Sequence, residues 1–125
     1  MRDDGAGGLE IFTGGVENNR GVIRRFSYAQ NTGFSVGQSR DIGYFHGGAI
    51  NTIAAHGNAL YVGGAIGADR LSLSATGQAS VAGLEGFVAR IDADLGSTAQ
   101  DRASYLGSSK DDAVKSIVIV DGVVY

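Results

Sequence analysis

Gly48-Ala-Ile-Asn-Thr-Ile-Ala-Ala-His-Gly-Asn-Ala-Leu-Tyr61 lies without gaps on Asp112-Ala-Val-Lys-Ser-Ile-Val-Ile-Val-Asp-Gly-Val-Val-Tyr125, at an offset of 64 residues. Ala49/Ala113, Ile53/Ile117 and Tyr61/Tyr125 are identical, and Ile50/Val114 and Thr52/Ser116 are close in kind. Each copy reads as a β-hairpin. Gly57-Asn58 and Asp121-Gly122 supply residues that tolerate the positive φ of tight hairpin turns. Ile117–Val120 is a continuous apolar run, the pattern of a strand covered on both faces. A repeated unit of this kind cannot bury its apolar face alone, so the repeat decides the architecture.

Working outward, Gly21-Val-Ile-Arg-Arg-Phe-Ser-Tyr28 matches Gly86-Phe-Val-Ala-Arg-Ile-Asp-Ala93 at an offset of 65, with Gly21/Gly86 and Arg25/Arg90 conserved between the copies. Leu9–Thr13 followed by Gly14-Gly15 repeats the punctuation of Leu60–Val62 followed by Gly63-Gly64. The expected strands are 9–13, 21–27, 34–37, 49–55, 59–63, 86–92, 102–106, 113–120 and 122–125. A further short strand is read at 71–73. The expected core comprises Ile53, Leu60, Val62, Phe87, Val88, Ile91, Leu106, Ile117 and Ile119. Residues 1–8 read as a loose N-terminal segment and 9–64 as a first repeat region. Residues 65–85 form a variable Gly/Ser/Ala-rich loop, and 86–125 a second repeat region that appears cut short.

Composition agrees. The chain has 125 residues, with 21 Gly, no Pro and no Cys. Gly far above its usual share of about 7%, without a collagen period, means many turns. Short Val/Ile runs favour strands. A net charge of −3 lacks the basic footprint of nucleic-acid binding, and no apolar window is long enough for a membrane-spanning helix. Met1–Gly8 carries no apolar stretch of the signal-peptide kind.

The second copy resembles a known pattern. Gly86-Phe87-Val88-Ala89-Arg90-Ile91-Asp92, then Tyr105-Leu106-Gly107, Asp111-Asp112-Ala113 and Ile117–Tyr125, resembles the bacterial β-propeller repeat (SBBP-like) of secreted and cell-surface proteins. Ile53–Gly64 resembles its closing hairpin, with His56 where that hairpin usually has Asp. The resemblance implies an all-β fold of antiparallel hairpins in four-stranded, propeller-like units, about two blades' worth. It implies a non-enzymatic structural or protein-interaction module of a bacterial surface or extracellular protein, a flagellum-associated role being one form of it. The expected partners are other protein chains or further repeats of the same chain. Because Tyr61 continues as Val62-Gly63-Gly64 and Tyr125 does not, the expectation is a piece of a longer chain, or self-association through an open sheet edge.

No catalytic constellation stands out, and no catalytic, cofactor-binding or metal-binding residues are assigned. His46 and His56 have no metalloprotease spacing and read as loop and turn residues. Asp111-Asp112 and Asp3-Asp4 are the carboxylate pairs that a calcium-dependent adhesin or surface-layer segment would use, the first alternative. Membership of a larger enzyme without contributing to its chemistry is the second. Gly63-Gly64-Ala-Ile-Gly67 lacks the dinucleotide-binding spacing. Of Arg24 and Arg25, on opposite faces of one strand, one is expected to be solvated and the other to pair or snorkel.

Overall fold

The computed structural model describes residues 2–3, 8–45, 47–67, 71, 75–76, 85–106, 113–120 and 123–125. The fold is all-β and almost wholly antiparallel, with no helix among the described residues.

Sheet A is a four-stranded meander of β1 (Arg2–Asp3), β2 (Leu9–Glu17), β3 (Arg20–Ala29) and β4 (Gly33–Tyr44). Its β2–β3 turn places both Asn18 and Asn19 at positive φ, as a two-residue I′ hairpin requires. Sheet B has the order β5 (Ala49–His56), β6 (Ala59–Ile66), β8 (Glu85–Asp92), β9 (Arg102–Leu106), with the short β7 (Ala75–Thr76) parallel to β9 at its edge. The β5–β6 turn takes φ +59° at Gly57 alone, the II′ pattern with Gly first. A last hairpin joins β10 (Ile119–Val120) to β11 (Val123–Val124).

The internal repeat is visible in the pairing register. In sheet A, Gly14, Gly15 and Val16 oppose Ile23, Val22 and Gly21. In sheet B, Gly63, Gly64 and Ala65 oppose Val88, Phe87 and Gly86. Ile23 and Arg24 then oppose Arg40 and Ser39, as Val88 and Ala89 oppose Ser104 and Ala103. The hairpin repeat holds as well. Ala55↔Leu60 and His56↔Ala59 become Ile119↔Val124 and Val120↔Val123. The next pair, Val118 and Tyr125, exchanges backbone hydrogen bonds of 3.1 and 2.7 Å. The break between sheets A and B falls between Tyr44 and Ala49, so β5 and β6 share a sheet with β8 and β9.

The core lies between the two sheets. One face of sheet B presents Leu60, Val62, Phe87, Ala89, Ile91, Ala103 and Tyr105, all buried. Sheet A contributes Phe12, Ile23 and Ile42, and the connection to β5 contributes Phe45. Phe45 meets Phe87 edge to face at 5.3 Å between ring centres. The glycines of β2 and β6 set the approach. A Cβ on Gly14 would lie 2.6 Å from Ile50 Cγ2 and 3.1 Å from Ile53 Cδ1. A Cβ on Gly63 would lie 2.7 Å from Val114 Cγ1 and 3.0 Å from Ile117 Cδ1. Ile50/Val114 and Ile53/Ile117 are the same repeat positions, so one interface is built twice.

Several expectations need correction. Residues 113–118 are not a strand; only 119–120 of that run joins a ladder. Among the described residues its sheet consists of β10 and β11, and Val118 and Val120 are exposed. β4 runs on to Tyr44 rather than ending at 37, because its pairing with β3 persists through the polar Gln38–Asp41 segment beyond a bulge. Leu106 is 44% exposed rather than core, and Ile53, Val88 and Ile119 are half-buried. Leu71 forms an isolated bridge with Gly43 and its N–H donates to the buried Tyr105 hydroxyl at 2.9 Å; 72–74 lie outside the described residues, as do Asp121-Gly122.

Candidate interaction site

Among the described residues, concave regions lie at the ends and on the outer side of the paired sheets. The larger, about 470 Å³, opens between sheet A and the strand ends of sheet B. It is lined by Arg25 from β3, Asn58 from the β5–β6 turn, Arg90 and Asp92 from β8, and Asp94 and Gln100 from the loop that follows. Arg25 and Arg90 are repeat equivalents, and both line this cleft, Arg25 from the face of sheet A turned to sheet B and Arg90 from the outer face at the strand end of sheet B.

Their surroundings differ. Arg90 Nη1 donates to Asp92 Oδ1 at 3.1 Å and to the Gln100 carbonyl at 3.0 Å. The Arg25 Nε is buried without a hydrogen-bond partner. A β-bulge in β4 explains this: the register jumps between Arg24 and Phe26, leaving Arg25 across from Gly37, whose added Cβ would lie 3.2 Å from the Nε. Arg24, on the opposite face, pairs with Glu17 at 2.7 Å in an exposed position. Asp94 folds the following loop around itself. It accepts from the Ser97 hydroxyl at 2.6 Å, the Ser97 N–H at 2.9 Å and the Gly96 N–H at 2.8 Å. These donors, the Ser97 side chain first, hold its carboxyl down to about 2.

Beside the cleft, Arg40 of β4 makes a two-pronged contact with Asp101, one prong 3.0 Å long. Both side chains are nearly buried, and the hydrogen bonds that Arg40 donates to Asp101 raise the Arg40 pKa. The pair ties sheet A to the β8–β9 loop. A second fork, Arg20 to Asp41, lies at the surface with Arg20 over the Tyr44 ring at 4.1 Å. Arg20 and the Gly43 N–H lower the Asp41 pKa.

The second concave region is a groove of about 320 Å³ on the outer face of sheet B, lined by Tyr61, Val88, Arg90, Arg102, Ala103 and Ser104. Its walls are mainly apolar. A third surface, on the far side of sheet A, exposes Phe34 and Val36 at 69% and 73%, with Tyr28 against Phe34 at 4.9 Å.

None of these regions joins a nucleophile to a base, and an Asp94 held near 2 is a poor proton acceptor at neutral pH. Among the described residues no group of three His, Cys, Asp or Glu gathers as metal ligands would. His56 sits exposed at the end of β5, paired with Ala59. His46, Asp111-Asp112 and Asp4 lie outside the described residues. Gly63 and Gly64 lie within a strand, and among the described residues no helix follows it, as a phosphate-binding turn would need. Among the described residues no helix is long and apolar enough to cross a membrane. Sequence reasoning paired Arg25 with Arg90 but did not find their shared cleft, because sheet stacking carries no local signal.

The chain resembles a named protein. Regulatory protein FlaEY of Caulobacter vibrioides (strain ATCC 19089 / CIP 103742 / CB 15) is 25% identical to it over 143 residues, an alignment that covers 94% of this chain. The chain spans about 15% of the length of that curated relative. No family model matches the chain, and no solved structure gives a match.

Proposed function

We propose that this chain is a non-catalytic, repeat-built structural or protein-interaction module, a propeller-like portion of a larger flagellum-associated protein at the cell surface or outside the cell. The observation that carries the reading is the interface built twice, Gly14 against Ile50 and Ile53, then Gly63 against Val114 and Ile117. A chain whose sheets are met through equivalent contacts, Ile50 and Ile53 on Gly14 and Val114 and Ile117 on Gly63, has the organisation of an array, and arrays offer extended surfaces for partners. Sheet A is a four-stranded antiparallel meander, and β5, β6, β8 and β9 form an antiparallel four-stranded body in sheet B; propellers are assembled from four-stranded sheets. The similarity to a protein named as regulatory, and not as an enzyme, supports the non-catalytic side of the reading. So does the chemistry of the cleft, where Arg90 pairs with Asp92 and Asp94 is held by the Gly96 and Ser97 groups of its own loop.

The test is an in-frame deletion of the segment encoding residues 1–125 from its parental gene, with the remaining protein followed by immunoblot. Defective flagellar filaments or altered flagellin levels, with the shortened protein still accumulating, are the expected result. Normal filaments and normal swimming would contradict the flagellar part of the proposal.

A further inference from the structure

The two sheets present equivalent outer faces, and only one of them is covered. On sheet A the face formed by Phe12, Gly14, Ile23 and Arg40 is packed under sheet B. Phe12 is 8% exposed, Ile23 is fully buried, and the Arg40 side chain is 11% exposed. By register, the matching positions on sheet B are Tyr61, Gly63, Val88 and Ser104. Gly63 is already occupied. Val114 and Ile117 sit on it, Val114 N–H donates to the Gly64 carbonyl at 3.0 Å, and Asn51 Nδ2 donates to the Val114 carbonyl at 2.8 Å. Tyr61, Val88 and Ser104 remain half-buried, and the apolar groove runs along them.

We infer that this groove is the seat of a third four-stranded sheet that continues the same polypeptide, with β10 and β11 as its first hairpin. The inference rests on the repeat reading and adds which surface extends the array and what covers it. Three observations converge on that occupant. The segment leading into β10 enters the face at the equivalent glycine, Gly63, with Val114 and Ile117 where β5 places Ile50 and Ile53 on Gly14 of sheet A. The β10–β11 register reproduces that of β5–β6, so the hairpin is set to be followed by strands equivalent to β8 and β9. The relative it resembles is several times longer than this chain, which spans about 15% of it.

The absence of Cys from the chain makes a direct test clean. The chain is extended at Tyr125 by a second copy of its own residues 62–106, the stretch that follows the equivalent Tyr61. Val88→Cys, Ile23→Cys and Phe34→Cys are then made singly, in the first copy, and labelled with a thiol reagent. The expected result is that Val88→Cys becomes as slow to label as the buried Ile23→Cys, about tenfold or more below the exposed Phe34→Cys, as a covered side chain should. Labelling of Val88→Cys at the Phe34→Cys rate, while Ile23→Cys stays protected, would overturn the inference. Protection already present in the unextended chain and lost on dilution would overturn it too, because the occupant would then be a second copy. Either outcome leaves the deletion phenotype free to succeed or fail on its own.

Discussion

Ile117 lies over Gly63, so near that a Cβ on the glycine would fall 3.0 Å from its Cδ1; Ile53 stands over Gly14 in the same relation, at 3.1 Å. In both places a strand glycine lets an Ile of the following unit reach the sheet surface. Packing at that distance leaves no room for a side chain, and cores at crystal-like density transmit the misfit.

Gly14→Val and Gly63→Val should therefore each destabilise the protein by about 1–3 kcal/mol through overpacking. Gly15→Ala, whose Cβ would meet nothing within 4 Å, should stay within about 0.5 kcal/mol of the parent. Combining Gly63→Ala with Val114→Ala should recover stability relative to Gly63→Ala alone. Urea denaturation of the set checks all three expectations.

The Arg40–Asp101 pair predicts a different pattern. Asp101→Ala leaves a nearly buried guanidinium without its carboxylate, a change that costs about 3–5 kcal/mol when a buried pair is broken. Replacing both, as Arg40→Met with Asp101→Leu, should regain most of that loss, since apolar pairs of similar volume often serve as well. Thermal unfolding of the single and double variants decides it. Equal losses in both would show that the loop, and not the pair, sets the stability.

Asp94 gives a pH dependence with a defined sign. Its carboxyl is lowered from 3.8 to about 2 by the Ser97 hydroxyl and the Ser97 and Gly96 N–H groups. A carboxylate depressed on folding stabilises the fold above its unfolded pKa, and that contribution disappears as pH falls through the folded value. The loop-closing contribution is thus complete near pH 5 and is lost between about pH 4 and 2. Carbon-detected titration of Asp94 should show the low midpoint, and Ser97→Ala should raise it. A midpoint unaffected by Ser97→Ala would contradict the assigned cause.

Gly57 occupies φ +59° at the β5–β6 turn. Gly57→Val should cost about 1–2 kcal/mol, because a β-branched residue fits the left-handed region poorly. Asn58→Ala, at a position without positive φ, should cost clearly less. Guanidinium unfolding midpoints distinguish the two.

The parts of the fold that were legible in the sequence are those fixed locally. Alternating Leu9–Thr13, the Val/Ile runs around Val22 and Val88, and Gly57-Asn58 announce strands and a turn through side-chain period and backbone preference. The repeat added register, since matching Gly21 with Gly86 and Ile53 with Ile117 predicts matching partners. What escaped depends on distant contacts. The polar half of β4 is a strand only because β3 lies beside it, and Ile117–Val120 reads as buried although its own sheet holds two strands among the described residues. The cleft was hidden for the same reason. Arg25 and Arg90 were matched as repeat positions, but their convergence with Asp92, Asp94 and Gln100 follows from where sheet A meets the strand ends of sheet B and the loop after β8. The Arg25 Nε lost its partner to a bulge that no local pattern announces.

The central claim is that one inter-sheet contact is built twice. Methyl-resolved NOE spectroscopy tests it most directly, by recording contacts from the α-protons of Gly14 and Gly63. The account predicts strong NOEs from Gly14 to the Ile50 and Ile53 methyls, and from Gly63 to the Val114 and Ile117 methyls, in the same protein. NOEs from Gly14 with none from Gly63, or from Gly63 to methyls other than those of Val114 and Ile117, would contradict it.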